Sequence, residues 1–126
     1  IAIYDGVVYF ATKHDNRVWA YDSASEELSI IYDAAVSENS ELTGVDNIVI
    51  SPAGDVLVAE DGGNMQIVAL TPNGSVIPIV QVVGHERSEI AGPAFDPSFR
   101  RLYFSSQRGS IGNNSGGMTF EISLIV

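Results

Sequence analysis

Apolar residues fall along the chain in short runs rich in Val, Ile, Tyr and Phe. Gly, Pro, Asn and Asp cut these runs at intervals of roughly ten residues, which predicts β-strands joined by tight turns. One stretch, "DAAVSENSEL" (Asp33 to Leu42), has helical composition, and it reads as a loop with one helical turn. The fold class is therefore all-β.

The runs also repeat. "DGVVYFATKHDNRVWAYD" (Asp5–Asp22), "GDVLVAEDGGNMQIVALTPNG" (Gly54–Gly74) and "RRLYFSSQRGS" (Arg100–Ser110), the last followed by "GGMTFEIS" (Gly116–Ser123), align with one another. Phe10, Val58 and Phe104 then correspond, 48 and 46 residues apart. The strands before them match as well, "TGVDNIVISP" (Thr43–Pro52) with "IAGPAFDP" (Ile90–Pro97). A four-stranded antiparallel unit recurring every 40–50 residues or so is the pattern of a β-propeller blade. A β-sandwich also has many short strands, but the repeat aligns turns as well as apolar positions. The expected architecture is about three blades, at approximately 1–42, 43–88 and 89–126. The first should lack most of its innermost strand, since Ile1–Tyr4 holds only its end. Trp19 is expected to pack between blades, and "GNNSGG" (Gly112–Gly117) to form a flexible loop.

Propellers close with at least about four blades. The chain thus reads either as an arc of a larger propeller or as half of a six-bladed ring completed by a second copy. Both raw ends, Ile1–Tyr4 and "MTFEISLIV" (Met118–Val126), are expected to expose apolar blade faces, with Leu124–Ile125–Val126 adding to the second. A two-fold homodimer joined through these ends follows from that reading.

The hairpin "VDNIVISPAGDVLVAEDGGN" (Val45–Asn64) carries the candidate chemistry. Counting outwards from "PAGD", Ser51 faces Val56, Asn47 faces Glu60 and Asp46 faces Asp61. Those four acidic or amide residues then share the open end of the hairpin. The equivalent residues elsewhere are Thr12, Lys13 and His14 in blade one and Ser106, Gln107 and Arg108 in blade three. Asp46 and Asn47 map to about Gly92 and Pro93. Mixed carboxylates and an amide suit a hard cation such as Ca²⁺, which takes about six to eight oxygen ligands. Asp46, Asn47 and Glu60 are the expected metal ligands, with other blades contributing the rest of the shell. Lys13 and Arg108, with His14, are candidates for holding an anionic group such as phosphate over the metal. The same residues have plainer uses: Asp46–Asn47 as a turn pair, Glu60–Asp61 as loop chemistry, His14 in a solvated turn and Arg108 as a surface charge.

Composition narrows the field. With 45% hydrophobic residues the 126-residue chain can bury a core. A net charge of −10 argues against nucleic acid as a partner. No apolar run reaches the 18 or so residues needed to span a membrane. The absence of cysteine excludes disulfides and thiolate metal sites. Thr43 and Ser51 have no nearby His, so a Ser–His hydrolase finds no support there.

"NRVWAYD" (Asn16–Asp22), "LTGVDNIVISPAGDVLVAEDGG" (Leu42–Gly63) and "EIAGPAFDPSFRRLYFSSQRG" (Glu89–Gly109) resemble the C-terminal half of the PhoX family of bacterial phosphatases. The resemblance implies a propeller that hydrolyses phosphate esters with calcium and iron (Fe³⁺). It also implies export by the twin-arginine route, hence a periplasmic or secreted location. It favours Glu60 as a metal ligand, with Asp46 and Asn47 near the site. Family members are several times longer and draw metal ligands from across the propeller, including an N-terminal cysteine. This implies that the present chain alone is inactive. A weaker resemblance is to calcium-dependent gluconolactonase-like propellers, whose Asp/Asn and Glu ligands also sit at strand starts. The remaining alternative is a non-enzymatic propeller module for binding or assembly.

Overall fold

The computed structural model describes residues 1–39 and 41–123. Eleven strands form three antiparallel sheets, and no helix is present among the described residues. Blade one comprises β1 (Ala2–Tyr4), β2 (Val7–Thr12), β3 (Arg17–Asp22) and β4 (Glu27–Asp33). Blade two comprises β5 (Val45–Ile50), β6 (Val56–Glu60), β7 (Gln66–Leu70) and β8 (Val76–Gln81). Blade three has β9 (Ile90–Phe95), β10 (Arg101–Ser106) and β11 (Met118–Ser123). Each sheet is a meander in chain order, so the chain is an open arc of three propeller blades.

The blades adhere because both faces of blade two are apolar. Strand alternation sends Val56, Val58, Val68 and Leu70, with Val45 and Ile48 of β5, towards blade one, where they meet Val18 and Tyr32, with Leu42 of the connecting loop completing the cluster. The intervening Leu57, Ala59, Ile67 and Ala69 turn the other way and meet Ile90, Leu102 and Phe104 of blade three. Every residue of β6 and β7 is buried as a result. A wholly buried side chain such as Ile67 contributes about 1.5–3 kcal/mol over an exposed one.

The expected loop with one helical turn lies after β4, where the Ser37 amide donates to the Asp33 carbonyl at 3.0 Å. The β5–β6 register differs from the symmetrical count. Val45 pairs with Glu60 and Ile48 with Val58, so Asn47 does not face Glu60 and Asp46 does not face Asp61. Two features cause the shift. The turn is a three-residue loop closed by Ser51 and Asp55, with Gly54 in the left-handed region at φ +87°. A bulge then sets Asp46 and Asn47 together opposite Ala59. The turn of "TPNGS" is built the same way, Thr71 pairing with Ser75.

The two ends of the arc are unlike. Blade one's outer face is apolar, as expected. Trp19 lies on that face, half-buried and stacked on Phe10 at 6.1 Å, rather than between described blades. The outer face of blade three is polar, against expectation. It presents Ser105 hydrogen-bonded to Thr119 (2.9 Å) and Arg101 paired with Glu121 (3.5 Å). Leu124–Ile125–Val126 lie outside the described residues.

Candidate functional site

All three blades turn an equivalent strand end towards one side of the arc. The last residues of β2, β6 and β10 are Thr12, Glu60 and Ser106. Blades two and three close at this end alike, with the Asp61 amide donating to the Gly44 carbonyl and the Gln107 amide to that of Glu89. Gly44 therefore corresponds to Glu89, and Asp46 and Asn47 to Ala91 and Gly92. The earlier equivalence with Gly92 and Pro93 was one residue out, because each blade's first strand bulges at a different place.

Strand alternation separates Glu60 from Asp61. Glu60 turns inwards and is 0% exposed. One carboxylate oxygen accepts the Thr43 amide at 3.1 Å and the other accepts the Gln66 amide at 2.9 Å. The Asn64 side-chain amide, with its nitrogen towards the carboxylate, donates to it as well. Glu60 thus ties down the loop before β5 and the loop before β7. Burial pushes its carboxyl above the ordinary glutamate value, partly offset by the two backbone donors.

Asp61 turns outwards and meets residues from all three blades. Lys13 Nζ lies 2.9 Å from Asp61 and 3.1 Å from Asp46. Glu89, half-buried just before β9, brings its carboxylate beside that of Asp61. Carboxylate oxygens of Asp46, Asp61 and Glu89 all lie within 4.8 Å of one another. The electrostatics are those of two acids in contact. Glu89 is raised by its neighbour Asp61, and Asp61 is lowered by its contacts with Glu89 and Lys13. The Lys13 ammonium is pushed up to about 12 by hydrogen bonds to Asp61 and Asp46. The Arg108 charge also acts on Asp61 and Glu89, favouring their ionised forms.

Asn47 stands beside the cluster, with both ends of its side-chain amide engaged. Its amide donates to Asp46 at 2.9 Å, and its oxygen accepts the Gly92 amide at 2.8 Å, stitching blade two to blade three. His14 and Gln107 are exposed. Glu89 was missed from sequence because it lies in a loop; aligning the strand ends of blades two and three would have found it opposite Gly44.

A second polar group was also missed. His85 Nδ1 lies 2.8 Å from Ser106 Oγ, which donates to Ser88 Oγ at 2.8 Å. Ser88 in turn accepts the Arg108 amide at 2.8 Å. All three side chains are buried, Ser106 wholly so. The Ser106 hydroxyl is thus shut off from solvent, and the chain of bonds anchors the backbone of Arg108.

The oxygen spacing at Asp46, Asp61 and Glu89 fits one hard cation. Two ligands at about 2.4 Å from Ca²⁺ stand at most about 4.8 Å apart. Three oxygens are at most half of its shell. The family model of alkaline phosphatase PhoX matches residues 11–109. The chain belongs to the PhoX family. The matched span includes Lys13, Asp46, Asn47, Glu60, Asp61, Glu89 and Arg108, so the whole cluster lies within the PhoX region. Comparison with curated proteins and with solved structures found no match.

Proposed function

We propose that this PhoX-family chain forms part of a metal-dependent phosphatase acting on phosphate esters, with its metal-facing residues at the open end of blades one to three. The convergence of Asp46, Asp61 and Glu89 beside Lys13 and Arg108, all within the family match, is the observation that carries this reading. A bound cation at such a site polarises a phosphoryl oxygen and acidifies bound water. Ca²⁺ is the cation that the oxygen donors favour; Fe³⁺ enters on family likeness alone. Asp46, Asp61 and Glu89 supply negative charge. Asn47 keeps Asp46 oriented, and Glu60 fixes the two loops behind it. Lys13 and Arg108 offer positive charge to the ester's phosphate. Lys13 shares two carboxylates with any cation bound there, so the two compete, and a Lys13 released from Asp46 and Asp61 is free to meet an anion. Export to the periplasm or beyond belongs to this reading through the family likeness only.

Calcium binding tests it by titration calorimetry. Wild type should bind Ca²⁺ saturably. Asp61→Asn should weaken binding at least about tenfold, since it removes a charged ligand. Lys13→Met should tighten it roughly fivefold, by deleting a competing charge worth about 1 kcal/mol. Turnover of p-nitrophenyl phosphate with Ca²⁺ and Fe³⁺ then reads the chemistry. An absence of saturable heat in both wild type and Lys13→Met would overturn the metal site. That result would favour the second reading, a non-enzymatic propeller module whose acidic end is neutralised by Lys13; its two ion pairs support that alternative. Lactone opening without phosphate-ester turnover would instead point to the gluconolactonase-like chemistry.

A further inference from the structure

We propose that Ser88 is a positioning residue for anion binding, its buried hydroxyl setting where Arg108 stands at the acidic end of the blades. The inference rests on the reading of Arg108 as a contact for the ester's phosphate. The internal repeat separates what each blade needs from what this one adds. Gly44 corresponds to Glu89 and Asp61 to Gln107, so Thr43 corresponds to Ser88, Glu60 to Ser106 and Gly62 to Arg108. In both blades the buried residue ending the second strand reaches the residue at the Thr43 or Ser88 position. Glu60 accepts the Thr43 amide at 3.1 Å, and Ser106 donates to the Ser88 hydroxyl at 2.8 Å. Both blades also make the main-chain bond beside it, from Asp61 to Gly44 and from Gln107 to Glu89. These contacts close the blade end. Blade three adds one more: the Arg108 amide donates to Ser88 Oγ at 2.8 Å. Its counterpart would run from the Gly62 amide to the Thr43 hydroxyl, and no such bond is made among the described residues. Between these two blades, the extra bond belongs to the one that carries the arginine.

The order of protons makes Ser88 Oγ a double acceptor. The Arg108 amide and the Ser106 hydroxyl both donate to it, which leaves its own proton for the Glu89 carbonyl at 3.4 Å. Ser106 has then spent its one proton, so His85 Nδ1, 2.8 Å away, donates to Ser106 in turn. The Ser88 amide donates to the His85 carbonyl at 2.9 Å, which fixes the backbone too. An oxygen that is 3% exposed and held from this many sides has one place to be. The Arg108 carbonyl accepts the Gly112 amide at 3.1 Å within its own loop, so the Ser88 bond is what ties Arg108 itself to the segment before β9. The arginine charge acts on both Asp61 and Glu89, and a shift of its backbone moves that charge. The acids are held by other bonds. Lys13 and the Gly44 carbonyl hold Asp61, while the Gln107 amide and the pairing of Ile90 with Ser106 hold Glu89. Loss of the Ser88 hydroxyl therefore disturbs the cationic side of the site and spares the anionic side. A residue needed only for packing would not divide the two.

Two titrations of the full chain test this: one with Ca²⁺, and one with phenylphosphonate, a phosphate-ester mimic that is not hydrolysed, in the presence of Ca²⁺. Ser88→Ala should raise the phenylphosphonate Kd about three- to tenfold and leave the Ca²⁺ Kd within about twofold. Ser88→Thr, which keeps the oxygen, should restore most of the phenylphosphonate affinity. Hydrogen exchange of the Arg108 amide, read by NMR, should quicken in Ser88→Ala and not in Ser88→Thr. Circular dichroism checks the fold of each variant. Should Ser88→Ala fail to fold, Ser106→Ala serves instead; it keeps the Ser88 oxygen but removes the hydroxyl that orients it, and the same split is expected at smaller size. An unchanged phenylphosphonate Kd in a folded variant overturns the inference and leaves the phosphate reading of the site intact. So does a Ca²⁺ Kd that rises in step, which is general loosening. A wild type that takes up no phenylphosphonate overturns the anion role of Arg108 itself, and this inference with it.

Discussion

Glu60→Ala should destabilise the chain by about 2–4 kcal/mol, because two backbone donors, those of Thr43 and Gln66, lose their buried acceptor at about 1–3 kcal/mol each. The return of a carboxylate to water in the unfolded wild type offsets part of that sum, since burial already opposes its charge. Glu60→Gln keeps one acceptor and should cost less, about 1–2 kcal/mol. The two variants also separate by pH. The folded-state pKa of Glu60 is raised, so the folded chain binds this proton more tightly than the unfolded chain does. The resulting stability is fully present below the ordinary glutamate value and is lost as pH rises through the raised one. Glu60→Gln has no such proton, so the advantage of wild type over it should shrink across that window. Urea denaturation of dilute protein at several pH values measures this. A pH-independent gap would mean that Glu60 titrates alike in the folded and unfolded chain.

Gly109→Ala should cost about 2–6 kcal/mol, from backbone strain and overlap together. Gly109 is buried with φ +61°, in the left-handed region. A Cβ there would stand 2.8 Å from the Gly116 carbonyl carbon and nearer still to its oxygen. The obstruction is backbone, which cannot swing aside like a side chain. The 107–117 loop would have to open, carrying Arg108 away from Asp61 and Glu89. Gly74→Ala is the control: it has a similar φ of +88° but open space around it, and should cost only about 1 kcal/mol. Thermal unfolding of both variants gives the comparison, and equal losses would show that the overlap is relieved without consequence.

Much of the fold was legible because it rests on alternation and turn chemistry, which are local. "SPAGD" and "TPNGS" announce the same turn, and the spacing of Phe10, Val58 and Phe104 tracks equivalent strands. The register was not legible, because a bulge at Asp46–Asn47 leaves no mark in the hydrophobic pattern. Its consequences reach the site: one extra residue aims Asp46 at Lys13 and Asn47 at Gly92. Glu89 and His85 were invisible for another reason. Each acts through a contact made by folding a loop onto a strand end 21 or more residues away in sequence, as His85 does on Ser106. The polarity of blade three's outer face was, by contrast, readable in Tyr103, Ser105, Thr119 and Glu121, had the strands been divided by face.

The unbroken burial of β6 and β7 bears on how the molecule breathes. Among the described residues, blade two is flanked on both sides, whereas blades one and three are each flanked on one. In a linear stack of this kind, cooperativity passes from neighbour to neighbour, and the outer units open first. The central amides are then released only when the whole arc comes apart. The acidic end straddles that gradient. Asp46 and Asp61 ride on the slowest-opening unit, while Lys13 and Glu89 ride on its looser neighbours, so fraying of either shoulder takes the cluster apart before the kernel has yielded.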